Sequence, residues 1–261
     1  MNRLVEGSQR WWSIVGLASL LTMLVGLYMA FIYVPADAVQ GDVQRIFYVH
    51  VPMAWLAYLA YAVLFVGALG YLWKRDLKWD RLARASAELG FVFTTLVLIS
   101  GSLWGRPIWG AWWQWEARLT TTLVLWFIYL GYFLVRSFSA DVERAARISA
   151  VVALIGAIDI PIIHQSVEWW RTLHPEPVVL DTGGPNLPNS MLATLIVCFL
   201  GFTLFFAYLT WMRVRVEVVR DLLNERQLER EIAAGQVDSP APRDTVVIDG
   251  QREAARGLKN T

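Results

Sequence analysis

The sequence predicts an all-α integral membrane protein: a bundle of six transmembrane helices with a tryptophan-rich outward-facing loop and both termini in the cytoplasm. Three observations carry this. With 56% hydrophobic and 17% charged residues, the chain is too apolar for an ordinary soluble domain. Six apolar runs stand out, near 13–34, 46–73, 86–103, 119–135, 148–163 and 191–212, most of them close to the roughly 20 residues a spanning helix needs. Lys and Arg are segregated as well. Nineteen of the 23 fall in the termini and the alternate loops on their side, while the other side holds only Arg45, Arg106, Arg118 and Arg171. Cytoplasmic segments carry the positive excess, which places both termini inside and the tryptophan-rich loop outside.

The first run follows Arg3, Arg10 and a Trp11–Trp12 pair. Ala36-Asp37-Ala38 has the form of a signal-cleavage site, but the run is longer than the roughly 7–15 residues of a signal core, so a retained helix is expected. The second run opens RIFYVHVPMAW, with His50 about one turn inside the membrane boundary and Pro52 as a kink or helix-start residue. The plain reading of a lone histidine there is an interfacial side chain bonded to water or a neighbouring helix. The basic inner loops are topology signals that also suit anionic headgroups of the lipid bilayer; no nucleic-acid partner is expected.

The fifth run is short and interrupted by Asp159 and Pro161, which a helix bundle tolerates when neighbours satisfy the freed carbonyl. An acidic residue in an apolar run is a functional candidate, and a hydrogen bond to a polar group on another helix explains Asp159 equally simply. After the sixth run, RVRVEVVRDLLNERQLEREIAAG keeps helical spacing until Gly235, and Gln236 to Thr261 reads as a mobile end. The expected division is a membrane domain, 1–215, and a cytoplasmic tail, 216–261. The single cysteine, Cys198, sits in the sixth run, so neither a disulfide nor a thiolate metal site is expected. There is no phosphate-binding glycine loop, Ser-His-Asp arrangement or internal repeat. A non-enzyme is expected, with any ATP used by a partner.

The densest feature lies between the third and fourth runs. WGRPIWGAWWQWEARLTTT places Trp104, Trp109, Trp112, Trp113 and Trp115, five of the fourteen tryptophans, within twelve residues. With Pro107 opening a short helix, Trp109, Trp112, Trp113 and Glu116 fall at i, i+3, i+4 and i+7, an aromatic shelf with one carboxylate. Gly105 and Gly110 would let a flat ligand approach the backbone. An interfacial aromatic belt explains one or two rings per helix end, and accounts for Trp11, Trp12, Trp73 and Trp211, but not five in one loop. Arg106 and Arg118 bracket the rings and suit a flat ligand carrying carboxylates, because guanidinium pairs bidentately with carboxylate and also stacks. Snorkelling to headgroups is their plainer use.

All three histidines, His50, His164 and His174, converge on the same outer side, together with Trp169 and Trp170. Imidazole is the commonest metal ligand, and haem axial positions are built from histidines brought together by folding. A membrane b-type cytochrome would place histidine pairs on facing helices within the bundle. A small-molecule secondary transporter would show broken helices at mid-membrane in two related halves. These are the alternatives, and the sequence fits both poorly.

WGAWWQWEARLT resembles the tryptophan-rich "WWD" signature of haem-handling proteins, and YVHVPMAW with PIIHQSVEWWRTLHP resembles the cytochrome c maturation protein C (CcmC) family, over the whole six-helix region. The resemblance implies a haem-handling protein of the bacterial inner membrane. Haem b would be held transiently on the periplasmic face, over the Trp segment, with His50 and His174 as axial ligands to the iron. It implies partners too: a periplasmic haem chaperone (CcmE-like) that takes haem covalently on a histidine, ATP-binding cassette transporter subunits (CcmA- and CcmB-like) and a small membrane subunit (CcmD-like). His164 is read as structural. One departure stands out: where the signature ends in Asp, this chain has Glu116, one methylene longer.

Overall fold

The computed structural model describes residues 2–139, 141–170, 174 and 187–235, with side chains from residue 9 onward except 225 and 228. Among the described residues seven α-helices form: α1 (Asn2–Tyr28), α2 (Phe47–Lys74), α3 (Leu77–Trp109), α4 (Ala117–Ser137), α5 (Val142–Gly156), α6 (Asp159–Trp169) and α7 (Asn189–Ala233). Among the described residues six helical segments are long and apolar enough to cross a membrane, with α5 and α6 together making the fifth. The chain is an all-α membrane protein, and an isolated bridge between Asp37 and Gly41 is the extended pairing the described residues show.

The chain divides into two compact units, Met1–Glu217 and Val218–Thr261. In the first, α2 and α3 pack extensively against one another. Only Arg75 and Asp76 join them: Arg75 takes the left-handed conformation (φ 55°), and the Asp76 carboxylate caps α3 by accepting from the Lys78 N–H at 2.9 Å. Gly67 lies against Ala83, the Ser86 hydroxyl donates to the Ala60 carbonyl at 2.7 Å, and His50 meets Ser100, so the helices run antiparallel. Lipid is as apolar as leucine, so such interfaces rest on close packing of small residues, and Ala57, Ala60, Ala68, Ala83 and Ala87 are all buried. On the first helix, Ser19 donates to the Gly201 carbonyl at 3.2 Å, and Trp12 stacks on Trp211 at 5.3 Å, which ties α1 to α7.

Two expectations about helix continuity resolve differently. Pro52 lies in the second turn of α2, five residues past its start at Phe47 and after a 3-10 turn, Asp42–Ile46. It is therefore not a helix-start residue. The fifth run breaks at Ala157 and Ile158 into α5 and α6. Asp159 there is buried, and its Oδ2 has no hydrogen-bond partner among the described residues. It lines an apolar groove of about 440 Å³ with Ile128, Gly131, Val152, Ile155 and Gly156, none of them a tryptophan or histidine. In the second unit the helix runs to Ala233 and stops at Gly235 (φ 69°), as expected. The tail from Gln236 to Thr261 and Arg171 lie outside the described residues.

Candidate haem-binding site

The C-terminal end of α3 organises the site. Pro107 does not open a new helix: α3 runs through it to Trp109. Near a helix end a proline forfeits one bond, here to the Leu103 carbonyl, and its fixed φ is already helical. The helix ends at Gly110, whose φ of 76° suits glycine and whose N–H donates to the Arg106 carbonyl at 3.1 Å. The chain is then irregular until Glu116, which caps α4 by accepting from the Leu119 N–H at 3.3 Å.

The expected shelf is corrected by this break. Trp109, Trp112, Trp113 and Glu116 do not share one helical face, because the left-handed glycine interrupts the repeat that would align them. Trp104 and Trp109 belong to α3. Trp112 and Trp115 are exposed in the loop (59% and 77%), and Trp113 is half-buried with its ring at 77° to that of Trp115, 5.5 Å away. Gly105 is not open to a ligand either: a Cβ there would lie 2.8 Å from the Trp109 ring, which covers it.

His50, in the first turns of α2, is buried and packs edge-on against Trp104, with centroids 5.7 Å apart. Its Nδ1 lies 2.8 Å from the Ser100 Oγ. Trp104 in turn donates its indole N–H to the Gln40 side-chain oxygen at 2.9 Å. His174 lies 6.4 Å from Trp109, ring to ring, and its Nδ1 is 3.4 Å from Arg118 Nη1. Arg118 also donates through Nη2 to the His164 carbonyl at 3.2 Å, whereas the His164 ring itself is exposed. Arg106 folds back on its own loop, donating to the Gly110 carbonyl at 2.6 Å with its guanidinium 6.0 Å from the Trp112 ring.

Three residues with a local part were not singled out in the sequence. Ser100 and Gln40 are short polar side chains whose partners lie far along the chain, so nothing local marks them. Arg45, counted above only as an outer charge, donates to the carbonyls of Ala30 and Val34 and so satisfies the end of the first span. The donor set suits haem: the porphyrin supplies four of the iron's ligands, so two imidazoles suffice. Two buried donors, Arg118 Nε and Trp113 Nε1, have no hydrogen-bond partner among the described residues, and a carboxylate could accept from either.

Known proteins match this chain over most of its length. The family model for Heme exporter protein C matches residues 1–229. The chain is 42% identical over 212 residues to "Heme exporter protein C" of Bradyrhizobium diazoefficiens, covering 81% of this chain and 80% of the relative. It is 40% identical over 203 residues to the protein of that name from Escherichia coli strain K12, covering 77% and 81%. A "Putative cytochrome c biosynthesis ccmC-like mitochondrial protein" of Marchantia polymorpha is 37% identical over 189 residues, covering 72% and 79%. With six helical segments long and apolar enough to cross a membrane, tryptophans and histidines gathered at the end of α3, and matches of this extent, the chain belongs to the Heme exporter protein C family.

Proposed function

We propose that this chain is a haem-handling membrane component of cytochrome c maturation that holds haem b on the outer face of the bacterial inner membrane and presents it to a periplasmic haem chaperone. ATP-binding cassette subunits and a small membrane subunit are its expected partners. The observation that carries the reading is that two histidines far apart in sequence both meet tryptophans of the same helix end, His50 at Trp104 and His174 at Trp109. Haem supplies the iron that two imidazoles can grip reversibly.

The residues divide the work. His50 sits on a helix in a buried setting and serves as the fixed ligand. Trp104 and Trp109 supply rigid aromatic walls, and the exposed Trp112 and Trp115 leave an open edge towards the chaperone. Arginine only donates hydrogen bonds, so the contact with Arg118 occupies the lone pair on His174 Nδ1. That contact must break before His174 ligates through either nitrogen, and the guanidinium it frees can pair with a propionate. His174 is thus the ligand that yields first on transfer.

The test is the haem spectrum of protein purified with its chaperone, for wild type, His50→Ala and His174→Ala. Wild type should show low-spin haem, His174→Ala should retain more haem than His50→Ala, and the double variant should lose it. Absence of haem from wild type, or a double variant with unchanged absorbance, overturns the reading. Equal loss in the two single variants overturns the division between the histidines alone.

A further inference from the structure

We infer that Ser100 is a positioning residue that fixes the tautomer and ring orientation of His50, so that His50 is a ready-made ligand before any iron arrives; this rests on the reading of His50 as an axial ligand. The assignment comes from counting one proton. The Ser100 hydroxyl lies 2.7 Å from the Leu96 carbonyl, one helical turn back, and a carbonyl can only accept. The hydroxyl proton is directed there, with the Val97 carbonyl also within 3.3 Å. Towards His50, 2.8 Å away, the hydroxyl oxygen can then only accept, so His50 Nδ1 carries the hydrogen and Nε2 keeps its lone pair.

The ring is confined from two other sides. Trp104 stands edge-on at 5.7 Å, and Gly101 lets the imidazole approach the α3 backbone: a Cβ at position 101 would lie 3.2 Å from His50 Cε1. Ser100, Gly101 and Trp104 lie on one face of α3, a seat for the ring with a hydrogen-bond acceptor at one edge. A metal-bound imidazole that donates its second N–H is held in place and made a stronger donor to the metal. His174 has the opposite arrangement, its Nδ1 facing the donor Arg118. The two ligands are thus unequal before haem binds, Ser100 accepting from His50 and Arg118 donating to His174.

The test compares Ser100→Ala, Ser100→Thr, His50→Ala and wild type, each purified as full-length protein with its chaperone. Readouts are haem affinity by titration with free haem, spin state by absorbance, and reduction midpoint. Alanine favours the helix, so Ser100→Ala should fold, and normal elution on size-exclusion chromatography confirms it. It should bind haem about 10- to 100-fold more weakly, shift the spectrum towards high spin and raise the midpoint, because the imidazole becomes a poorer donor to ferric iron. Ser100→Thr, which keeps the hydroxyl, should restore all three. If Ser100→Ala matches wild type in affinity, spin state and midpoint while His50→Ala loses haem, the inference fails and the ligand assignment survives. If His50→Ala also matches wild type, the ligand assignment has failed and Ser100 falls with it. Weaker haem binding in Ser100→Ala with unchanged spin state and midpoint makes Ser100 a packing residue and overturns the inference.

Discussion

At the scale of the residue, Glu116 combines two demands. It stands where the related signature carries aspartate, and its carboxylate caps α4. Aspartate is the better N-cap, so Glu116→Asp should preserve or raise the thermal midpoint in detergent, whereas Glu116→Ala should cost about 0.5–2 kcal/mol of stability. A destabilised Glu116→Asp would show that the longer arm is needed. The carboxylate stood out in the sequence as a candidate site residue because of its company of tryptophans. Its capping duty was not, since a helical repeat drawn across Gly110 hides the helix start at Ala117. The histidines stood out as candidate ligands by residue type alone. Ser100 was not, because serine in an apolar run bonds its own helix by default, and only the fold brings imidazole to its free side.

At the scale of the element, the spans were legible because apolar length is what a bilayer demands, but their ends were not. The third span begins at Leu77, nine residues before the apolar run, because Asp76 caps it and its charged first turns find partners. Asp80 forms a two-point ion pair with Arg136 of α4, Oδ1 to Nη1 at 2.6 Å and Oδ2 to Nη2 at 2.8 Å, with the Ser149 hydroxyl of α5 2.9 Å from the same guanidinium. Both side chains are nearly buried, at 9% and 11% exposure. Removing one partner strands a buried charge, so Asp80→Ala should destabilise by about 3–5 kcal/mol. The double variant Asp80→Ala, Arg136→Leu should recover most of that loss, and thermal unfolding in detergent reads both. A double variant no better than the single would show that the pair holds α3 against α4 by geometry rather than by mutual neutralisation.

At the scale of the whole molecule, the segregation of basic residues sets an expected orientation, and accessibility tests it. A cysteine at Trp115 should react with a membrane-impermeant maleimide in intact spheroplasts, and one at Trp73, 82% exposed, only after permeabilisation. Cys198 is buried and gives a quiet background. The reverse pattern would invert the protein. Charge counting reaches this far without coordinates, but it cannot say which spans embrace, since every apolar run is an equal candidate neighbour. The α2–α3 hairpin supplies that information and also imposes an order on synthesis. With only Arg75 and Asp76 between its arms, the hairpin can enter the bilayer as one unit, and it already carries His50, Ser100, Trp104 and Trp109. One half of the proposed site is therefore synthesised before residue 174 is translated. A nascent chain in this way holds one proposed ligand and the seat for its ring before the other proposed ligand has been made.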